Sequence, residues 1–277
     1  MVLPIDVADS DRIQAAAAEV EQRLGPIDIW VNNAMATVFS RLVDVSPEEY
    51  RRATEVTYLG VVWGTMAAMK CMQMRDRGCI VQVGSALAYR SIPLQSAYCG
   101  AKAAIRGFTD SLRTELLHER SRIHLTMVQL PAINTPQFDW CRTHTRYHPQ
   151  PVPPIYDPAL AARAIFWAAH QRRRELYVGL STWLAIEANK FVPHLLDRYL
   201  GRTGYSSQQT DERVSPDRPD NLFAPVQGDF TARGSFGNRA SHGSVELWLA
   251  QHRGLAGFIL ASFLGSTALT MLSRRSH

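Results

Sequence analysis

The sequence predicts an α/β protein built on a parallel sheet, and features of the first 180 residues support this. Short apolar runs alternate with segments of helical periodicity, the order that produces a parallel sheet covered by helices. Polar or turn residues stand where the predicted strands end, namely Asp6, Asn32, Ser85 and Pro131. Because ligands bind beyond the carboxyl ends of such strands, these positions mark a candidate site.

Each element can be placed along the chain. The predicted strands are 2–7, 27–31, 78–83, 123–130 and 175–178. The predicted helices lie between Asp9 and Gly25, over 47–75, from the segment of Tyr98 and Lys102 to about residue 120, and over 157–173. Asp9 and Ser46 are suited to cap the first two helices, and Pro47 suits the first helical position.

Composition narrows the class of protein. The chain has 277 residues, 46% hydrophobic and 20% charged, which is typical of a globular protein with a sizeable core. The net charge of +5 comes from scattered basic residues without the aromatic-interleaved stripe of a nucleic-acid-binding protein, so we expect no nucleic-acid partner. The four cysteines are Cys71, Cys79, Cys99 and Cys141. Their spacing indicates free thiols in a reducing compartment, and we therefore expect a cytoplasmic protein.

The C-terminal part differs in composition. We predict a sheet domain over 1–200, a polar Gly/Pro/Ser-rich linker or extension over 201–245, and an apolar helix over 246–277. Residues 254–272 carry no charge, and nineteen helical residues at ~1.5 Å each nearly match the ~30 Å apolar core of a bilayer. A membrane contact and a helix that covers an apolar groove both fit this segment.

The strongest motif combines three side chains. Ser85 precedes Tyr98 by thirteen residues, and Lys102 follows Tyr98 by four, which places the phenol and the ammonium on one helical face. Together with "NNA" at 32–34 and "DV" at 6–7, residues 1–180 resemble the classical short-chain dehydrogenases/reductases. The resemblance implies a Rossmann-type doubly wound sheet, NAD or NADP as cofactor, and a homo-oligomer that interconverts an alcohol and a carbonyl.

The chemistry of these residues agrees with that reaction. Hydride transfer to a carbonyl leaves an alkoxide that needs a proton, and the reverse reaction needs a base. A free tyrosine has a pKa of ~10, but a lysine cation about 4 Å away favours the phenolate by ~4 kcal/mol at an effective dielectric of ~20. We therefore expect Lys102 to move the pKa of Tyr98 towards neutrality, while Ser85 donates a hydrogen bond to the substrate oxygen.

The resemblance also implies roles for other residues. Asp6 and Val7 correspond to the adenine contacts, Asn32 and Ala34 to a turn that passes the cofactor, and Thr135 to a contact at the nicotinamide end. Tyr98 and Lys102 adjoin the nicotinamide ribose in the family. Thr57 stands where the family has an asparagine of the catalytic set, and its hydroxyl is a candidate to hold a water molecule.

Besides Thr57, a second departure from the family keeps alternatives open. The pyrophosphate-binding turn T-G-x-x-x-G-I-G is not in the sequence, which reads as though it starts at the family's third strand, so we expect an N-terminally truncated sheet. The alternatives are a non-catalytic binding or scaffold protein of this fold and an inactive fragment of a longer dehydrogenase. A serine hydrolase is disfavoured because Ser85 is not in a G-x-S-x-G turn.

The substrate walls are expected in two variable segments, 86–97 and 137–156. Their larger side chains indicate an apolar pocket and a lipophilic alcohol or ketone: Leu87, Tyr89, Leu94, Trp140.

Overall fold

The computed structural model describes residues 1–215, 217–228 and 231–252. Its centre is a parallel sheet of four strands in the described part, in the order β1 (Ile29–Asn32), β3 (Cys79–Ser85), β4 (His124–Leu130) and β9 (Glu175–Tyr177). The register places Asn32 beside Gln82 and Ser85 beside Leu130. The carboxyl ends of β1, β3 and β4 therefore meet at one edge, and the predicted α/β class with a parallel Rossmann-type sheet is confirmed.

The remaining elements surround this sheet. The helices are α1 (Ser10–Leu24), α2 (Pro47–Thr54), α3 (Gly60–Met72), α4 (Ser96–His118), α5 (Gln137–Trp140), α6 (Pro158–Ala169), α7 (Leu180–Phe191), α8 (Pro193–Thr203) and α9 (Val245–Gln251). The short strands are β2 (Val38–Phe39), β5 (Ala132–Ile133), β6 (Arg142–Thr143), β7 (Tyr147–Pro149), β8 (Ile155–Tyr156), β10 (Gln209–Arg213) and β11 (Ala240–Ser241).

The predicted helix starts are confirmed. The Asp9 carboxylate accepts hydrogen bonds from two backbone amides of the first turn of α1. Ser46 and Glu49 form a reciprocal capping box at the start of α2. The long helix predicted over 47–75 is formed by α2, a π-helical turn (Glu55–Leu59), α3 and a final 3-10 turn.

The strand predicted over 2–7 is wrong. These residues are not in a strand, because a strand needs a hydrogen-bonded neighbour and they have none among the described residues. Asp6 instead begins a turn, in which its side chain accepts from the Ala8 amide and its carbonyl accepts from the Asp9 amide. Val7 packs closely on α3, where a Cβ at Gly60 would lie 2.8 Å from Val7 Cγ2.

Alternate residues of the central strands supply two apolar cores. Val81 and Val128 face α6 and α9, where they pack with Leu160 and Leu247. Ile80 and its neighbours face α3 and α4, in a cluster formed by Ala68, Met72, Leu116 and Leu125. Burial on both faces explains why β3 is a continuous apolar run, without the alternation of a half-exposed strand.

The polar segment predicted at 201–245 packs on the sheet domain as an extension in its described part. β10 pairs with β7, and both Gln208 and Leu222 are fully buried. The Gln208 amide is satisfied inside the domain, since it donates to the Pro93 carbonyl and accepts from Gln95. Backbone pairing and these buried side chains hold a segment whose composition resembles a loop.

The tail predicted at 246–277 is described only in its first residues. The helix α9 ends at Gln251, and the uncharged stretch 254–272 lies outside the described residues. In the part of the chain that is described, no helix combines the length and apolar character needed to span a bilayer.

Candidate active site

Ser85, Tyr98 and Lys102 come together at the carboxyl edge of the sheet. Ser85 is the last residue of β3, and the other two occupy successive turns at the start of α4. The Ser85 hydroxyl is hydrogen-bonded to Tyr98, and Lys102 Nζ lies 5.5 Å from the centre of the Tyr98 ring. The three residues that the sequence spacing singled out therefore form a cluster of a hydroxyl, a phenol and an ammonium group in the structure.

Lys102 is buried, with 3% of its surface exposed. Its ammonium donates a hydrogen bond to the Val83 carbonyl over 2.7 Å, and this is the hydrogen bond that Lys102 Nζ makes among the described residues. Burial disfavours the charged form and lowers the pKa of Lys102 to about 8. An ammonium has three N–H donors, so two remain for a polar ligand such as the hydroxyls of a cofactor ribose.

Tyr98 differs from the expectation. Burial raises the pKa of Tyr98 to about 12, and the Ser85 hydrogen bond opposes this rise without cancelling it. The expected shift of the Tyr98 pKa towards neutrality is wrong. The physical reason is that the phenolate is desolvated, while the nearby ammonium is directed to the Val83 carbonyl.

Thr57 is bonded to the backbone of the loop after β1. It is fully buried in the π-helical turn, where its hydroxyl accepts from the Ala36 amide over 2.9 Å and donates to the Ala36 carbonyl over 2.7 Å. Its one proton is thus used by the backbone. Thr57 joins the loop after β1 to the helix, and its predicted role of holding a water molecule stays a prediction.

Asn32 belongs to a buried polar network. Its amide donates to Thr65 Oγ1 and Gln82 Oε1 over 3.0 and 2.9 Å, and its Oδ1 accepts from Trp30 Nε1. A Cβ at Gly64 would collide with Asn32 Oδ1, so the network requires glycine there. The amide group of Asn32 is thus used in hydrogen bonds within the protein. At this turn, the groups left to contact a cofactor are the backbone atoms of residues 32–34.

The predicted adenine contacts and the predicted cofactor turn meet at the outer edge of the sheet. Val7, Asn32 and Ala34 line a largely apolar cavity of about 170 Å³ between α1, β1 and α3. Asp6 lies beside Val7 and pairs with Arg52 over 2.6 Å. Burial raises the pKa of Asp6, but the Ala8 amide and the Arg52 guanidinium outweigh it and leave the pKa below its ordinary value.

Thr135 lies in the loop that follows β4 and β5. It is half-buried, and its amide donates to the Ile133 carbonyl. The C-terminal extension covers this loop: the Gly234 amide donates to the Asn134 carbonyl, and the Phe236 amide donates to Asn134 Oδ1. Sequence reasoning missed these covering residues, since no local pattern announces a contact across about a hundred positions.

One of the predicted wall residues is turned away from the substrate side. The Tyr89 hydroxyl donates to Glu175 over 2.7 Å, and the Arg106 guanidinium lies 4.4 Å from the Tyr89 ring centre. The phenol therefore belongs to a polar cluster against the sheet, and its assignment to the apolar substrate wall is wrong. Leu94 is buried with a positive φ of 66°, so it shapes the loop before α4.

The fold is a Rossmann-type parallel sheet, and the cluster lies at the edge where such sheets bind their ligands. The family model described as short chain dehydrogenase matches residues 1–144, more than half of the chain. The chain belongs to the short-chain dehydrogenase/reductase family, as the resemblance predicted.

Relatives and solved structures agree with this membership. An uncharacterized oxidoreductase, YxnA of Bacillus subtilis, is 31% identical over 79% of this chain and 62% of its own length. Human dehydrogenase/reductase SDR family member 7 is 43% identical over 42% of this chain and 34% of its own length. The chain thus spans less than two thirds of either relative.

A crystal structure of a short-chain dehydrogenase from Streptomyces avermitilis superposes with a TM-score of 0.59 and 25% identity over 74% of this chain and 79% of that one. A Burkholderia cenocepacia short chain dehydrogenase crystallised with NADP has the same fold, with a TM-score of 0.58 and 22% identity over 72% of this chain and 77% of that one.

Proposed function

We propose that the protein is an NAD- or NADP-dependent oxidoreductase that interconverts an alcohol and a carbonyl. The observation that carries the proposal is the buried Lys102 ammonium with unused donors beside the Tyr98 phenol and Ser85. The cluster lies at the carboxyl edge of a parallel sheet, where such folds bind their ligands. Family membership supports the redox chemistry and the nicotinamide cofactor.

The residues suit the direction of carbonyl reduction. A nicotinamide cofactor, when bound, would supply the hydride for the carbonyl carbon. The Ser85 hydroxyl donates to the substrate oxygen and holds it beside Tyr98, and the phenol gives its proton to that oxygen as negative charge develops. With a pKa of about 12, Tyr98 carries this proton at neutral pH. In the reverse direction Tyr98 accepts the alcohol proton, and the Lys102 cation stabilises the phenolate.

Cofactor binding is assigned to residues around the same edge. The free N–H groups of Lys102 suit ribose hydroxyls, and Thr135 stands at the nicotinamide end. Val7 and the backbone of Asn32 and Ala34 border the cavity for the adenine side, with Asp6 beside it. The donor set thus fits the nicotinamide half, whereas the chain contains no glycine-rich pyrophosphate turn.

Several finer expectations remain predictions. They are a lipophilic alcohol or ketone as substrate, a homo-oligomer, a cytoplasmic location and a membrane contact through 254–272. The alternatives of a non-catalytic binding or scaffold protein and of an inactive fragment are decided by the experiment below.

The test is turnover by the full chain and its Tyr98→Phe variant. We measure NADH and NADPH oxidation with cyclohexanone and acetophenone, and monitor folding by circular dichroism. Loss of the proton donor is expected to lower turnover by a factor of ~10² to 10⁴. Tyr199→Phe, at an exposed tyrosine of α8, is the matched control and should retain full turnover.

Equal turnover by Tyr98→Phe and the unchanged chain would remove the catalytic assignment. Cofactor binding without turnover in the unchanged chain would favour a binding protein of this fold.

A further inference from the structure

The described stretches 217–228 and 231–239 of the C-terminal extension contact segments at the carboxyl edge of the sheet, and we name these two stretches the strap. Leu222 is its innermost side chain, with no exposed surface. It packs with Ala36, Val38 and Ala53, and with Ala97, the residue before Tyr98. The strap therefore reaches the loop after β1 and the start of α4, the two segments next to the candidate catalytic cluster.

One arginine joins this part of the strap to the adenine side of the site. Arg52 Nε donates to the Leu222 carbonyl over 3.0 Å, while its terminal nitrogen pairs with Asp6 over 2.6 Å. The Arg52 side chain is 20% exposed and the Asp6 side chain is 42% exposed, so the bridge is only partly shielded from solvent. Because a guanidinium is rigid and planar, it sets the distance between the Leu222 carbonyl and the Asp6 carboxylate.

The other end of the strap holds the loop after β4. The Gly234 amide donates to the Asn134 carbonyl over 3.2 Å, and the Phe236 amide donates to Asn134 Oδ1 over 2.9 Å. Arg233 pairs with the buried Asp157 over 2.7 Å, which fastens the strap to the start of α6. The approach is close: a Cβ at Gly234 would lie 2.5 Å from the Thr135 carbonyl oxygen and 2.7 Å from its carbon.

The two contacts lie on either side of β3, which carries Ser85 between β1 and β4 in the sheet. We propose that the strap positions segments that hold the nicotinamide cofactor, with Arg52 as the positioning residue for the Asp6 turn and Gly234 as the positioning residue for the loop after β4. The proposal rests on the function proposed above. The strap ties the loops after β1 and β4 in their binding geometry before the ligand arrives, which lowers the cost of ordering them on binding.

The two positioning residues can be tested by different changes, an added methyl group at Gly234 and the removal of the guanidinium group at Arg52. Gly234→Ala adds one methyl group that collides with backbone atoms of Thr135, so the loop after β4 must shift. Arg52→Lys keeps the positive charge beside Asp6. The lysine side chain has a single nitrogen, so it cannot bind Asp6 and the Leu222 carbonyl in the planar geometry of the guanidinium. Each change acts on one end of the strap and leaves Ser85, Tyr98 and Lys102 intact.

The experiment titrates the full-length variants with NADH and with NADPH, and follows the change in cofactor fluorescence. We expect the Kd of the better-bound cofactor to rise about tenfold in Gly234→Ala, equivalent to about 1.4 kcal/mol, and to rise measurably in Arg52→Lys. Thermal unfolding without cofactor is measured in parallel. The matched controls are Gly201→Ala, where a Cβ meets open space, and Arg23→Lys, whose ion pair with Glu19 is exposed.

The outcomes separate this proposal from the proposed function. A raised Kd in Gly234→Ala with unchanged controls supports the strap as a positioning element, and if that variant fails to fold, Arg52→Lys decides in the same way. An unchanged Kd in the deciding variant overturns the strap proposal alone, even where the unfolding temperature drops. Absence of NADH and NADPH binding by the unchanged chain overturns both proposals.

Discussion

Lys102 Nζ lies 5.5 Å from the centre of the Tyr98 ring, and it donates its hydrogen bond to the Val83 carbonyl. Both groups are desolvated, so the pKa of the phenol rises to about 12 and that of the ammonium falls to about 8. At neutral pH the pair is therefore a neutral phenol beside a cation. This state has the proton that carbonyl reduction requires.

The first prediction concerns pH and stability. The pKa of Lys102 is 10.5 before folding and about 8 after it, so between these values the unfolded chain holds a proton that the folded protein has released. The contribution of Lys102 to stability therefore increases with pH through this interval, by about 3 kcal/mol for the full shift. We measure the free energy of unfolding by urea titration at about pH 8 and about pH 10. The increase between these two pH values should be smaller in Lys102→Met than in the unchanged protein.

The control is Lys70→Met, at an exposed lysine of α3. The raised pKa of Tyr98 acts in the opposite sense only above about pH 10, since the folded protein then holds the extra proton. The same increase in Lys102→Met as in the unchanged protein would contradict the burial argument.

The second prediction concerns the Thr57 hydroxyl. Thr57→Val keeps the shape of the side chain but leaves the Ala36 amide and carbonyl without their buried partner. We expect a loss of about 1–3 kcal/mol in the free energy of unfolding, measured by urea titration. Thr57→Ser retains the hydroxyl and should lose clearly less. A Thr57→Val protein as stable as the unchanged one would show that the hydrogen bonds to Ala36 do not contribute to stability.

The third prediction tests whether the strap belongs to the folded core. Leu222→Ala removes a fully buried side chain from its cluster and leaves a cavity. The expected loss is about 2–5 kcal/mol in the free energy of unfolding. Its neighbour Phe223 is exposed and lies against the Arg142 guanidinium, so Phe223→Ala should cost no more than about 1 kcal/mol. Similar small losses at both positions would mean that the strap is not packed in solution.

The fourth prediction concerns the network around Asn32. Gly64→Ala places a methyl group against Asn32 Oδ1 and 3.1 Å from Trp30 Nε1, and so breaks buried hydrogen bonds. We expect a loss of at least about 2 kcal/mol, visible as a lower midpoint of thermal unfolding. Gly107→Ala in α4 meets open space and should raise stability by about 0.5–1 kcal/mol. A Gly64→Ala protein as stable as the unchanged one would show that the network can relax.

The helices and the central strands could be predicted because their signals are local. Caps such as Asp9 and Ser46 act within one turn, and buried strands appear as apolar runs. The strand predicted at 2–7 shows the limit of this reasoning: apolar content qualifies a segment as a strand, but a partner with free backbone groups makes it one. Tyr89 shows the same limit for a site, since its direction depends on Glu175, eighty-six positions away.

The sequence by itself determined the α/β class, the family, and the spacing that brings Ser85, Tyr98 and Lys102 together, because helix and strand periodicity are properties of consecutive residues. Only the tertiary structure decided the protonation of that cluster, because burial, and not spacing, sets the pKa of Tyr98 and Lys102. It also decided the course of the strap, since the bond from Arg52 to the Leu222 carbonyl joins positions 170 residues apart and leaves no local pattern in the chain.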